Sequence, residues 1–194
     1  MIAAILLAAG SATRFGSDKR QALTHEGESL LATVLQCYAM VFPKLAVVVG
    51  PDDDFGLAQC ARFGVHALVN PSARQGLGSS VACGIRWAQA QDLVGVVMGL
   101  ADMPFVRPDT LAAVADRLTT AARLVMPVYQ GRPGHPRGIP CTAFAALATL
   151  GGERGAAAVL DWSQALQLSC DDAGCVLDID TPAMLAEAQA SRSA

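Results

Sequence analysis

In LLAAGSATRFGSDK, residues 6–19, an apolar run stops at Gly10, and Arg14, Gly16 and Lys19 follow among small residues. A buried strand that ends in glycine and then offers two cations has the make-up of a phosphate site. Small residues let backbone N–H groups approach an oxyanion, arginine grips oxygens in a fork, and lysine adds a point charge. The bland alternative is a strand–helix turn with solvated cations, and spacing alone leaves both open. Two familiar phosphate loops are excluded. Five residues separate Gly10 from Gly16 and Ser17 follows, so this is not G-x-x-x-x-G-K-[ST]. There is also no G-x-G of the dinucleotide fingerprint.

Three further stretches carry candidate chemistry. In LADMP, Asp102 lies just past an apolar strand, where a carboxylate needs a cation or donors. In DIDTP, Asp178 and Asp180 share one side of an extended segment, with Ile179 on the other. Asp102 with Asp180 or Asp178 makes a candidate Mg²⁺ pair, since Mg²⁺ is held by one or two carboxylates plus phosphates and water. The competing role for Asp180 or Thr181 is as N-cap of a final helix over 182–190. In NPSARQGLGSS, Gly76 and Gly78 loosen the chain and Ser79 and Ser80 open a helix, Ser80 either as a cap or as part of a nucleobase contact.

GRPGHPRGIP reads as a polar loop that presents His135 between Gly134 and Pro136. His25, His66 and His135 are far apart and no C-x-x-C accompanies them, which argues against zinc. No G-x-S-x-G supports a serine hydrolase.

The elements that must position these stretches follow from hydrophobic runs. Apolar strands are expected at 2–9, 45–50, 65–70, 93–100 and 123–129. Helices are expected between them at 29–41, 54–64, 79–91 and 108–120. Continuous apolar strands alternating with helices specify an α/β fold: a doubly wound, mostly parallel sheet with helices on both faces. Ligands bind such sheets at the carboxyl ends of the strands, where these polar loops fall. The 194 residues suit a single domain, 1–194, with the end from about 188 frayed.

Bulk composition narrows the function. With 53% hydrophobic and 16% charged residues the chain is not disordered, and a net charge of −3 leaves no basic face for nucleic acid. The first apolar run lacks a basic flank and is too short to span a membrane, so a cytoplasmic protein without membrane attachment is expected. The six cysteines lie mostly in apolar segments and read as reduced, structural residues.

Taken together, LAAGSATRFGSDK, NPSARQGLGSSVACGI, LADMP, GRPGHP and DIDTP occur in the order of a known family. The first resembles the L-A-A-G-x-x-x-R-x-G-x-x-K signature of sugar-phosphate-type nucleotidyltransferases, with their Rossmann-like fold. The set is similar to the MobA-like branch that makes cytidylylated molybdenum cofactor. The resemblance implies a nucleotide site at Leu7, Ala8, Ala9, Gly10, Arg14, Lys19, Asn70, Gly76, Ser80 and Asp102. Arg14, Lys19 and Asp102 are its catalytic residues. Asp102 with Asp180 or Asp178 holds Mg²⁺, or Mn²⁺ in its place. Gly134, His135 and Pro136 face the acceptor. Ala9, where the guanylyl branch tends to have glycine, points to CTP. Arg20 departs from the family's usual leucine-rich stretch and bears on the acceptor side.

The expected reaction is transfer of CMP from CTP to the terminal phosphate of molybdopterin, with a molybdoenzyme as the partner receiving the product. The rivals are a same-fold enzyme using GTP or a sugar or alcohol phosphate, a non-catalytic carrier of the cofactor, and an oxidoreductase on this fold.

Overall fold

The computed structural model describes residues 1–10, 15 and 18–192. Arg14 and Gly16, both singled out above, lie outside the described residues. The chain begins β1 (Ile2–Leu7), α1 (Leu30–Val41), β2 (Leu45–Val49), α2 (Asp54–Phe63), β3 (His66–Val69), α3 (Leu77–Gln89), β4 (Gly95–Leu100) and α4 (Pro108–Ala121). It continues with β5 (Val125–Tyr129), β6 (Arg132–Pro133), β7 (Arg137–Pro140), α5 (Phe144–Leu147), β8 (Leu166–Ser169) and α6 (Pro182–Arg192).

One eight-stranded sheet runs β3-β2-β1-β4-β7-β5-β6, with β8 added on β5. β1 pairs in parallel with both β2 and β4, so the strand order reverses direction at the β1/β4 junction. A crevice opens outside the carboxyl ends at such a point.

Side chains of β1 alternate between two buried layers. Ala4 and Leu6 pack with Leu35, Tyr38, Leu111 and Val114 of α1 and α4. Ala3, Ile5 and Leu7 pack with Val81, Ile85 and Phe144 of α3 and α5. Burial on both faces is why β1 is an unbroken apolar run rather than an alternating one.

Helix starts are fixed by side chains. Ser29 Oγ accepts the Ala32 N–H at 3.2 Å to cap α1, a contact worth about 1 kcal/mol. α4 takes its anchor from a distant residue. The buried Asp172 accepts Arg107 N–H at 2.9 Å and Thr110 Oγ1–H at 2.6 Å, tying the 170–176 turn to that helix start.

Two expectations change. The stretch GRPGHPRGIP is an interrupted strand rather than a loop. β6 pairs antiparallel with β5, and β7 fits antiparallel between β4 and β5, making the sheet mixed. Residues 188–192, placed in the expected frayed end, are helical. α6 continues to Arg192, with Ala188 and Gln189 buried, because its apolar face packs with Phe105 and Ile179. Among the described residues no helix is long and apolar enough to cross a membrane.

Candidate functional site

Lys19 opens a single helical turn after the first loop, and Asp18 caps that turn by accepting Arg20 N–H at 3.1 Å. This aims the Lys19 ammonium between two carboxylates. It donates to Asp102 Oδ2 at 2.8 Å and to Asp180 Oδ1 at 2.9 Å. Asp102 follows β4, and its carbonyl accepts Ile179 N–H at 2.8 Å, which draws DIDTP against the sheet edge. The helix-cap question resolves to Thr181, whose Oγ1 accepts Met184 N–H at 3.2 Å and leaves Asp180 to Lys19. Asp178 is exposed and makes no ion pair among the described residues.

Burial by itself would lower the Lys19 pKa, but the bonds from Asp102 and Asp180 outweigh it and hold the ammonium above its ordinary value. Asp102 Oδ1 is buried with no partner among the described residues. The pair therefore offers a desolvated carboxylate oxygen beside a second carboxylate, a donor set suited to a hard dication. No three His, Cys, Asp or Glu side chains converge among the described residues, so a dication held by this pair would take its remaining ligands from substrate and water.

Beside this cluster lies a cleft of about 580 Å³, walled by Leu7, Ala9, Gly10, Gly76, Ser80 and Leu100 and reaching Asp102. Most of the expected nucleotide residues thus meet in one cavity. Ala8 is buried behind it. Asn70 is buried too, and its amide is spent on structure. Nδ2 donates to Ser79 and Ser80 Oγ at 3.0 and 3.2 Å, and Oδ1 accepts Ser72 N–H at 3.0 Å. It braces the wall from behind. α3 starts earlier than expected, with Gly76 at its N-cap at φ +110°, so Ser80 sits within the helix and is not its cap.

The segment GGERG, residues 151–155, closes the far wall. Gly78 N–H donates to Gly152 O at 2.9 Å, and a Cβ on Gly78 would stand 2.5 Å from Arg154 O, so only glycine fits there. Its three glycines in five residues were the available signal, and sequence reading passed over it. Arg20 is the other surprise. It ion-pairs with Asp53 and with Asp18 (2.8 Å) and donates to Ala8 O at 2.9 Å. Asp53 in turn caps α2 through Gly56 N–H. Arg20 therefore fastens the end of β1 to α2, in a second cleft of about 500 Å³ lined by Ala8, Asp18 and Asp53.

Gly134, His135 and Pro136 occupy the interruption between β6 and β7, level with the end of β4. Gly134 must be glycine, since a Cβ would stand 2.3 Å from Cys175 O. His135 N–H donates to the same carbonyl at 2.7 Å. Burial lowers the His135 pKa, with a contribution from Arg137, to about 4, against a bond to the Met98 backbone that opposes it. The imidazole is neutral at pH 7, and its Nδ1 is buried without a partner. Burial also pushes the Cys175 thiol up to about 12, which makes it an inert packing residue at neutral pH.

Comparison with known proteins agrees with this geometry. Residues 4–168 match the MobA-like NTP transferase domain. The bifunctional protein GlmU of Mycobacterium sp. (strain KMS) is 33% identical over 132 residues, which is 64% of this chain and 26% of that protein. The chain thus spans about a quarter of the length of the curated relatives it matches. The crystal structure of Rv0371c from Mycobacterium tuberculosis H37Rv has a TM-score of 0.77 at 27% identity, covering 97% of this chain and 98% of that one. The same protein in complex with manganese gives 0.77 and 27%, covering 98% of both. The molybdopterin-guanine dinucleotide biosynthesis protein A of Archaeoglobus fulgidus shares the fold, with a TM-score of 0.69 at 17% identity over 100% of this chain and 99% of that one. With a match across most of its length and these loops gathered at the strand ends, the chain belongs to the MobA-like NTP transferase domain family.

Proposed function

We propose that the protein transfers CMP from CTP to the terminal phosphate of molybdopterin, or of the molybdenum cofactor built on it, and releases pyrophosphate. The observation that carries this reading is Lys19 held between Asp102 and Asp180 at the edge of a cleft that Asp102 itself lines. A cation poised on two carboxylates beside a glycine-walled cavity is suited to a polyphosphate and its counter-ion.

An oxygen of the acceptor phosphate forms a bond to the α-phosphorus as the bond to the bridging α–β oxygen breaks, and that oxygen leaves on pyrophosphate. The attacking oxygen is ionised at neutral pH, so no general base is needed, and the neutral, buried His135 is consistent with that. Catalysis is then positioning plus charge neutralisation. Lys19, with Arg14 of the signature, neutralises phosphate oxygens. Gly10 permits close approach of the backbone. Ala9 and Ser80 bound the base, where the extra methyl of Ala9 favours the smaller cytosine over guanine. Asp102 and Asp180 would hold a divalent cation, Mg²⁺ or Mn²⁺, which supplies charge neutralisation at the phosphates when bound. The manganese complex of Rv0371c supports that assignment.

Thermal-shift titration with CTP, GTP, ATP and UTP plus Mg²⁺ tests the nucleotide, with stabilisation by CTP expected. Pyrophosphate release from CTP and molybdopterin tests the reaction. Stabilisation by GTP and not CTP would refute the cytosine assignment. Pterin binding without pyrophosphate release would favour a carrier. Normal turnover by Asp102→Ala would remove the metal assignment.

A further inference from the structure

Arg137 is a half-buried cation for which the fold provides no anion. Its guanidinium lies over the Trp162 ring, 4.7 Å from the centroid, and its Nη1 points at Met126 Sδ at 2.8 Å, a weak acceptor. No carboxylate pairs with it among the described residues. The two half-buried cations of the first loop are treated differently, since Lys19 and Arg20 each engage two carboxylates. A guanidinium carries five N–H donors, and a thioether sulfur and an aromatic face answer them only weakly. The stack on Trp162 fixes the plane of the fork.

The strand register gives its place. Arg137 stands opposite Met98 of β4 in the antiparallel β4/β7 pair. Cross-strand partners share a face of the sheet, and Leu100, two residues along from Met98, is on that same face. Leu100 pairs with Leu7 of β1, and both line the nucleotide cleft. Leu7 and Leu100 are level on β1 and β4, while Arg137 on β7 is level with Met98, two residues back from Leu100, with neighbouring strands about 4.8 Å apart. Arg137 lies on the cleft face, one strand beyond Leu100, on the side away from the nucleotide wall. His135, two residues earlier on the same strand line, adds the buried and unpartnered Nδ1.

We propose that Arg137, oriented by Trp162, is the receptor for the acceptor's phosphate monoester and sets the requirement for a phosphorylated acceptor. A bidentate grip on two phosphate oxygens leaves the third free to attack. The assignment of the ligand as acceptor rests on the cytidylyl-transfer reading; the anion site itself does not.

The test separates the two. In a Trp87→Phe background Trp162 is the sole tryptophan, and inorganic phosphate is titrated against its emission. A saturable change is expected, retained in Lys19→Met, lost in Arg137→Gln and weakened in Arg137→Lys. With CTP and a phosphorylated pterin, Arg137→Gln is expected to raise KM for the pterin by about 100-fold while KM for CTP is unchanged, as the loss of charged hydrogen bonds implies. Arg137→Lys keeps a cation and guards against a folding defect in the glutamine variant. If Arg137→Gln or Arg137→Lys responds to phosphate as wild type does, the site is not an anion receptor. If phosphate binding is lost but KM for the pterin stays the same, the site does not hold the acceptor. If no pterin reacts while the phosphate response behaves as described, the anion site stands and the cytidylyl-transfer reading falls.

Discussion

Replacing Lys19 by methionine removes the one ammonium that separates Asp102 from Asp180. Both carboxylates now contact it, at 2.8 and 2.9 Å. Without it no ammonium lies between the two charges, and repulsion over roughly 5 Å is about 3 kcal/mol at an effective dielectric constant near 20. The side chains are 25% and 32% exposed, so solvent screens part of this and roughly 2 kcal/mol survives. For a chain of 194 residues, that corresponds to a fall in Tm of about 4–8 °C. The same substitution withdraws the ammonium that competes with a dication for these carboxylates. Mn²⁺ titrated without nucleotide is therefore expected to raise the Tm of Lys19→Met by more than it raises that of wild type, where the ammonium competes. Differential scanning fluorimetry at pH 7 with and without Mn²⁺ reads both effects. Turnover should fall sharply all the same, because Lys19 is the proposed phosphate ligand. The sign also fixes the alkaline behaviour. Lys19 has a raised pKa, so its contribution is complete at neutral pH and fades only as pH climbs past the ordinary lysine range. A Lys19→Met protein with unchanged Tm, or with a smaller Mn²⁺ shift than wild type, would refute the idea that the ammonium holds a cation's place.

Three other outcomes are expected. His135 has a folded pKa of about 4 against an ordinary 6.5, so the unfolded chain binds the proton first as pH falls. Stability should decline between pH 6.5 and 4 by up to about 3 kcal/mol more in wild type than in His135→Gln, as urea titrations at pH 7 and 4.5 would show. Gly134→Ala places a methyl against Cys175 O and should cost roughly 2–3 kcal/mol, with KM for the acceptor rising as His135 is displaced; an unchanged Tm would contradict the contact. Ala9→Gly removes one methyl from the cleft wall and should shift the ratio of kcat/KM for CTP over GTP toward GTP by about tenfold or more, measured in competition.

The parallel half of the sheet was legible because its strands are buried on both faces. IAAILL, LAVVV and GVVMGL are apolar without interruption, and only a sheet covered on two sides asks for that. The antiparallel part was not. β7 is RGIP, four residues that begin with a cation and are bounded by Pro136 and Pro140. Proline cannot donate to a ladder, so each local signal opposed a strand. The register with β4 overrode them, since Ile139 is completely buried and Gly138 packs against Val114 and Val125. The site divides in the same way. Asp102 was marked by its place after an apolar strand. That Asp180 and not Asp178 is the residue bonded to Lys19 needed the geometry that brings Lys19 across 161 positions of sequence.

The misread strand matters for function because of its direction. Read as a loop after β5, GRPGHP reaches the carboxyl edge by hanging from it. As an interrupted strand it is built into the sheet, with Gly134 bonded to Pro127 O at 2.8 Å and His135 to Cys175 O at 2.7 Å. A side chain on such a frame is held by backbone pairing on both sides, as the β4/β7 and β5/β7 pairs hold Arg137. The proposed nucleotide and acceptor walls then belong to one sheet, with Leu7, Leu100 and Arg137 on adjacent strands. Their spacing is set by strand pairing rather than by loop closure. In-line transfer requires that two bound phosphates keep a fixed separation. Placing one proposed wall on β1 and the other on β7, with β4 and Asp102 between them, meets that requirement through strand pairing.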